Sequence, residues 1–230
     1  RVILSASTDE TILAVTRQHK LVDLEIEQQI NTEIVGCIYK GVVKNIVPAV
    51  DGIFVDIGIG KNAFLRRKDL LNEKRFPTEG SPILAQVIKS DTDMKGALIT
   101  EKISMFGKYA VTLSGTGYIG VSKKIRQESV RKRLKEIGKE ICAEHMGLII
   151  RTAAENADMD EFRKDITRLK ENWDIIQKRF RMEKSPTLLY RESDIIVKAL
   201  RDYVNKGTEI LITDNRKIYE RICKLNESEH

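Results

Sequence analysis

The sequence predicts a multidomain α+β protein, with a small β-barrel and a small α/β region interrupting a split α/β domain. Three observations carry this. The first hundred residues are short runs rich in Val, Ile and Leu, separated by polar or glycine turns. Residues 103–184 change to helices whose apolar positions recur at steps of three and four. From residue 185 onward, strands alternate with helices, unlike the all-β opening.

In order along the chain, Val2–Ser5, Thr11–Thr16 and Leu21–Glu27 read as an antiparallel meander, with polar turns at Thr8–Glu10 and Arg17–Lys20. Five strands follow: Ile38–Val43 before a turn at Pro48, Gly52–Gly58, Asn62–Leu65, Ile83–Ile88 and Ala97–Thr100. Short strands with glycines at the bends predict a small barrel. A β region over Tyr109–Ile125 is punctuated by Gly115, Gly117 and Gly120. A helix then carries Val130, Leu134, Ile137 and Ile141 on one face, and Gly147–Arg151 is a strand. A longer helix aligns Phe162, Ile166, Leu169, Trp173, Ile176 and Phe180, with Asp158 or Asp160 as its cap. After the Ser185–Pro186 break come Thr187–Tyr190, then a helix opened by Ser193 or Asp194 that buries Ile196, Leu200 and Tyr203. Glu209–Thr213 is a strand, and Ile218, Ile222 and Leu225 mark a last helix. The meander and this tail together make an RNase H-like sheet. The divisions expected are 1–32, 33–102, 103–184 and 185–230.

Composition bounds the function. The 230 residues are 41% hydrophobic, ordinary for a folded chain. No run approaches the roughly 18 apolar residues a membrane span needs. Arg1–Ser7 has no apolar signal core, which argues against export, and the absence of an initiator Met suggests a processed or trimmed chain. Cys37, Cys142 and Cys223 are scattered and odd in number, which fits reduced thiols in a cytoplasm and no zinc knuckle. The histidines His19, His145 and His230 suggest neither a triad nor a metal site. The net charge is +6, and Lys123, Lys124, Arg126, Arg131, Lys132, Arg133, Lys135 and Lys139 crowd one stretch. Such a run is either a solvated helix face or a surface for a polyanion.

The most specific segment is Ile38-Tyr39-Lys40-Gly41-Val42-Val43, then Pro48, Phe54-Val55-Asp56-Ile57-Gly58 and Ala63-Phe64-Leu65. It resembles the S1 RNA-binding domain, an OB-fold barrel. Phe54 and Phe64 could stack bases, and Lys40 and Lys95 could contact phosphates. On spacing alone, both rings would be assigned to the core.

Lys95-Gly96-Ala97-Leu98-Ile99-Thr100, Gly107-Lys108-Tyr109, Met146–Ala153 and Glu192–Lys198 extend the likeness in order along nearly the whole chain. The chain thereby resembles the ribonuclease E/G family of bacterial endoribonucleases. That resemblance implies an S1 barrel and a small α/β 5′-sensor domain inserted into a split, incomplete RNase H-like domain. It implies that Phe54, Phe64 and Lys95 hold single-stranded RNA. It implies that Gly107, Val111, Arg151 and Thr152 hold a 5′-terminal monophosphate, with Gly107 letting the nucleotide approach the backbone. An Arg fork and a Thr hydroxyl suit phosphate. By its residues alone, Arg151 would be a strand-end surface charge. Thr116–Lys124 departs from the longer Pro- and Asn-containing loop of the family, with Lys123 and Lys124 where arginines are usual.

The resemblance further implies single-strand-specific cleavage in mRNA decay and in rRNA and tRNA processing. The family uses a paired-aspartate Mg²⁺ site in a DNase I-like domain and a CPxC zinc shared between subunits of a homo-oligomer. Neither motif is in this sequence, so no catalytic or metal-ligating residue is expected here, and the tail would want one more strand. Two alternatives stay open: a stand-alone, non-catalytic RNA-binding regulator, and an autonomous RNase H-like nuclease. The second needs converging carboxylates. Asp194, Asp202 and Asp214 are available, but the first strand has none.

Overall fold

The computed structural model describes residues 1–8, 10–28, 34–91, 95–142, 146–191, 194–204 and 208–227. His145, His230 and Ser193 lie outside them. The chain divides into two compact units, Arg1–Glu33 with Ser193–His230, and Ile34–Glu192.

In the first unit, β1 (Val2–Ala6), β2 (Glu10–Arg17) and β3 (Lys20–Gln28) form the expected meander. Alternation turns Val2, Leu4 and Leu13 inward, onto Ile195, Ile196, Ala199 and Ile218 of two later helices.

The second unit opens with β4 (Ile38–Val47), β5 (Gly52–Asp56), β6 (Ala63–Arg66), β7 (Pro82–Lys89) and β8 (Leu98–Thr100). The first half of β4 pairs with β7 and its second half with β5, which closes a five-stranded barrel. A register shift between Val43 and Asn45 bends β4 for this double duty. Ile53, Val55, Ala63, Leu65, Val87 and Ile99 fill the interior.

The chain then forms β9 (Ser104–Phe106), β10 (Ala110–Ser114) and β11 (Ile119–Val121), α1 (Glu128–Ile141), β12 (Met146–Ile150), α2 (Met159–Met182) and β13 (Thr187–Tyr190). The sheet order is β11-β12-β10-β9. Its inward residues Ala110, Leu148 and Ile150 share a core with Leu134 and Ile137 of α1 and with Phe162, Ile166, Leu169 and Ile176 of α2. Ile38 of the barrel lies in the same core. Asp158 caps α2, accepting from the amides of Asp160 and Glu161. The Ser185–Pro186 break, expected to begin the second part of the split domain, leads instead to β13, which pairs with β4 of the barrel.

Back in the first unit, α3 (Ile195–Tyr203) is capped by Asp194, and β14 (Leu211–Thr213) precedes α4 (Arg216–Glu227). β14 runs parallel to β1, giving the order β14-β1-β2-β3. On the helix-facing side of β3, Asp23 accepts a hydrogen bond from the Tyr203 hydroxyl and Glu27 accepts from the Ile195 amide at 3.4 Å.

Candidate nucleic-acid interface

Two groups of the expected residues are gathered by the second unit. On the barrel, inward Ile53, Val55, Ala63 and Leu65 leave Phe54 and Phe64 on the outer face, each half-buried. They are direct cross-strand partners, with ring centroids 5.4 Å apart and planes at 51°. Assignment of the rings to the core, which spacing alone favoured, is therefore wrong: the pleat turns both outward. Gly52 makes this possible, because a Cβ there would meet the Phe64 ring at 2.3 Å. The Phe64 amide donates to the Ala97 carbonyl at 2.7 Å, and exposed Lys95 lies two residues before Ala97 in the chain. Exposed Asn45 stands opposite Phe54, and Lys44 pairs with Asp56 at 3.4 Å. Sequence reasoning missed Asn45, because only the register shift in β4 turns it to this face.

Lys40 does not join them. It is 9% exposed, and its ammonium donates to the carbonyls of Phe180 and Glu183, both at 2.6 Å, at the end of α2. It also lies 5.0 Å from the centre of the Phe180 ring. The expected phosphate contact is replaced by a structural one. The last helical carbonyls lack intrahelical partners and carry the negative end of the dipole, so a buried cation satisfies both.

The second group sits where β9, β10 and β12 meet the following loop. Arg151, just past β12, donates from its amide to Tyr109 and from its guanidinium to the Gly107 carbonyl, both at 2.8 Å. The Thr152 hydroxyl lies 3.0 Å from that of Ser122. Val111 pairs with Phe106 on one side and Ile149 on the other, on the sheet face away from α1 and α2. Phe106 and Ile149 are 43% and 39% exposed there, so this face is apolar yet open.

A buried carboxylate organises the turn. Asp165 of α2, 6% exposed, accepts from the amides of Lys108 at 3.1 Å and Tyr109 at 2.8 Å and from Arg168 at 3.2 Å. A Cβ at position 107 would meet its carboxylate at 2.4 Å, so the close approach that Gly107 permits is to Asp165. Burial, and then the hydrogen bond to Glu161, pushes the Tyr109 phenol far above its usual range. Asp165 was legible as a charge on the apolar stripe beside Phe162 and Ile166, a position where burial demands partners. Ser122 carried no such signal. Among the described residues, no group of three or more His, Cys, Asp or Glu side chains could hold a metal. No described helix is long and apolar enough to cross a membrane.

Comparison with known proteins agrees with this geometry. The S1 RNA binding domain profile matches residues 32–100, and the Ribonuclease E/G family profile matches residues 104–230. Ribonuclease G of Escherichia coli (strain K12) is 32% identical over 239 residues, covering 96% of this chain and 49% of that protein. Ribonuclease G of Haemophilus influenzae (strain ATCC 51907 / DSM 11121 / KW20 / Rd) is 31% identical, covering 98% and 49%. Ribonuclease E of Buchnera aphidicola subsp. Schizaphis graminum (strain Sg) is 31% identical, covering 96% and 24%. The chain thus spans about half the length of the first two and about a quarter of the third. With an S1 barrel that turns two aromatic rings outward and a family match over the following 127 residues, this chain belongs to the ribonuclease E/G family.

Proposed function

We propose that this region binds single-stranded RNA and recognises its 5′-terminal monophosphate, within a single-strand-specific endoribonuclease of RNA decay and processing. The observation that carries the reading is the convergence of Arg151, Thr152 and the Gly107 turn at one edge of an open sheet face. A guanidinium offers five donors in a planar fork, suited to the oxygens of a terminal phosphate. Holding it on the Gly107 carbonyl fixes its orientation, and the neighbouring hydroxyls add donors. The open apolar face at Val111, Phe106 and Ile149 would lie under the terminal base. Phe54, Phe64 and Lys95 would stack and hold the strand on the barrel.

Cleavage is assigned to the part of the relatives that this chain does not span, together with the catalytic Mg²⁺ and the intersubunit Zn²⁺. A homo-oligomer is proposed for the whole enzyme, as the family resemblance implies. The RNase H-like reading of the first unit is supported by its β14-β1-β2-β3 order. Asp214 there accepts from the Ser5 hydroxyl and the Ala6 amide on β1, so hydroxyl and amide stand where metal chemistry would want a second carboxylate.

The test is fluorescence anisotropy at fixed salt with matched 5′-monophosphate and 5′-hydroxyl RNAs. Arg151→Ala should weaken the monophosphate form by about 10- to 100-fold, the value of charge-assisted bonds, and the hydroxyl form far less. Equal losses on both RNAs would overturn the pocket assignment.

A further inference from the structure

The basic run after Ser122 belongs to neither group of residues above. Between Lys123 and Glu140, eight cations stand against Glu128, Glu136 and Glu140; eight less three leaves a surplus of five, nearly the whole formal charge of +6. Arg131 is internal to the fold. Its guanidinium donates to the carbonyls of Ser122 at 2.7 Å and Ile125 at 3.0 Å, and approaches Glu128 at 3.8 Å. That bond fastens the start of α1 to the loop whose Ser122 hydroxyl meets Thr152. Lys123, Lys124, Arg126, Lys132, Arg133, Lys135 and Lys139 are all exposed.

The carboxylates are largely occupied. Glu140 pairs with Arg163 through two hydrogen bonds of 3.1 Å, and Glu128 faces Arg131, leaving Glu136 to oppose the exposed cations. The opposite side of α1 is packed: Leu134 and Ile137 are buried, and Gly138 lies against Leu148, Ile119 and Ile150. At 100° per residue, Lys132, Lys135 and Lys139 fall within a stripe of about 60° facing away from that core, over about 10 Å of helix. Lys132–Lys135 and Lys135–Lys139 are like-charged neighbours at i,i+3 and i,i+4, which weakens a helix unless an anion neutralises them. No aromatic residue occurs between Ser122 and Ile141, so this surface offers phosphate contacts and no aromatic platform for bases.

We propose that the Lys123–Arg126 loop and the Lys132, Lys135, Lys139 stripe of α1 form a track for the sugar-phosphate backbone of single-stranded RNA. It begins beside the Arg151–Thr152 pocket and selects charge, not sequence. The inference rests on the RNA-binding reading above and adds to it the path of the nucleotides that follow the 5′ end.

The experiment uses the full 230-residue chain, the triple variant Lys132→Gln, Lys135→Gln, Lys139→Gln, and a second triple with Arg at the same positions. Probes are 5′-monophosphate and 5′-hydroxyl RNAs of about 4 and about 20 nucleotides, titrated across a salt series. Each phosphate contact on a single strand contributes about 0.7 to the slope of log K against log salt, so the Gln triple should flatten that slope by about 2 on the long RNA. Affinity near 0.1 M salt should fall by about 10- to 100-fold on the long RNA and little on the short one, with the 5′-end preference and the melting temperature unchanged. The Arg triple should restore the slope. A folded Gln triple with an unaltered slope overturns the track. If the wild-type chain shows no 5′-end preference while the Gln triple flattens the slope, the pocket reading fails and the track stands.

Discussion

Replacing Lys40 with Met separates a structural cation from an RNA contact. The ammonium makes two hydrogen bonds of 2.6 Å to carbonyls at the end of α2 and faces the Phe180 ring at 5.0 Å. Hydrogen bonds from a charged donor are worth about 1.5–3 kcal/mol each, and a cation at a helix C-terminus adds up to about 2 kcal/mol. Against this, Met removes the cost of burying a charge and fills a similar volume. The net loss expected is about 2–4 kcal/mol, because the part-buried Phe180 and Glu183 carbonyls are left without this donor. For a unit of this size that lowers the melting temperature by roughly 5–15 °C. Thermal unfolding measures it, with RNA anisotropy on the same sample below the transition. Unchanged melting with a tenfold loss of RNA affinity would refute the reasoning and return Lys40 to the phosphate-binding surface.

The outer-face rings predict the opposite pattern. Phe54→Ala and Phe64→Ala should each weaken single-stranded RNA binding by about 1–3 kcal/mol whatever the 5′ end, with little loss of stability; a large drop in urea midpoint with intact binding would mean that the rings are packing residues. Gly107→Ala drives a methyl group to within 2.4 Å of the Asp165 carboxylate. The turn must shift, with an expected loss of about 2–4 kcal/mol and of the 5′-end preference together, measured by urea unfolding and anisotropy. Asp214 is held below the usual carboxylate range by hydrogen bonds from the Ser5 hydroxyl and then the Ala6 amide. Its folded pKa lies under the unfolded value of about 3.9, so its contribution is present above that pH and is lost as pH falls through the folded value. The gap in urea midpoint between wild type and Asp214→Asn should therefore close on acidification from about pH 5 to pH 2; a gap that stays constant across that range argues against the assignment.

Much of this architecture was legible because it is local. Short Val-, Ile- and Leu-rich runs between polar or glycine turns marked β1 to β8, and steps of three and four marked α1 and α2, since one buried face imposes that spacing on a helix. Two helix starts were announced by pairs of candidate caps, Asp158 or Asp160 and Ser193 or Asp194, because a side-chain acceptor must meet the orphan amides there; the caps are Asp158 and Asp194. The resemblance likewise rested on short, ordered motifs, and the family assignment followed them. β9 was not anticipated: three residues carry too little periodicity to stand out from a loop.

What the sequence by itself determined, then, was which residues form strands and helices and which chemical groups are available to a polyanion. The tertiary structure alone decided how each group is used. Lys40 reads as a solvent cation in its motif, yet β4 carries it under the end of α2, 140 residues away in sequence, where carbonyls claim it. Phe54 and Phe64 are indistinguishable from core residues in composition, and only the barrel's inside and outside, fixed by closure of β4 on β7, turned them outward. Asp165 and Gly107 become one device only because α2 packs on the β9–β10 turn. The physical reason is the same in each case. Periodicity is set by neighbours along the chain, but solvation and hydrogen-bond partners are set by neighbours in space.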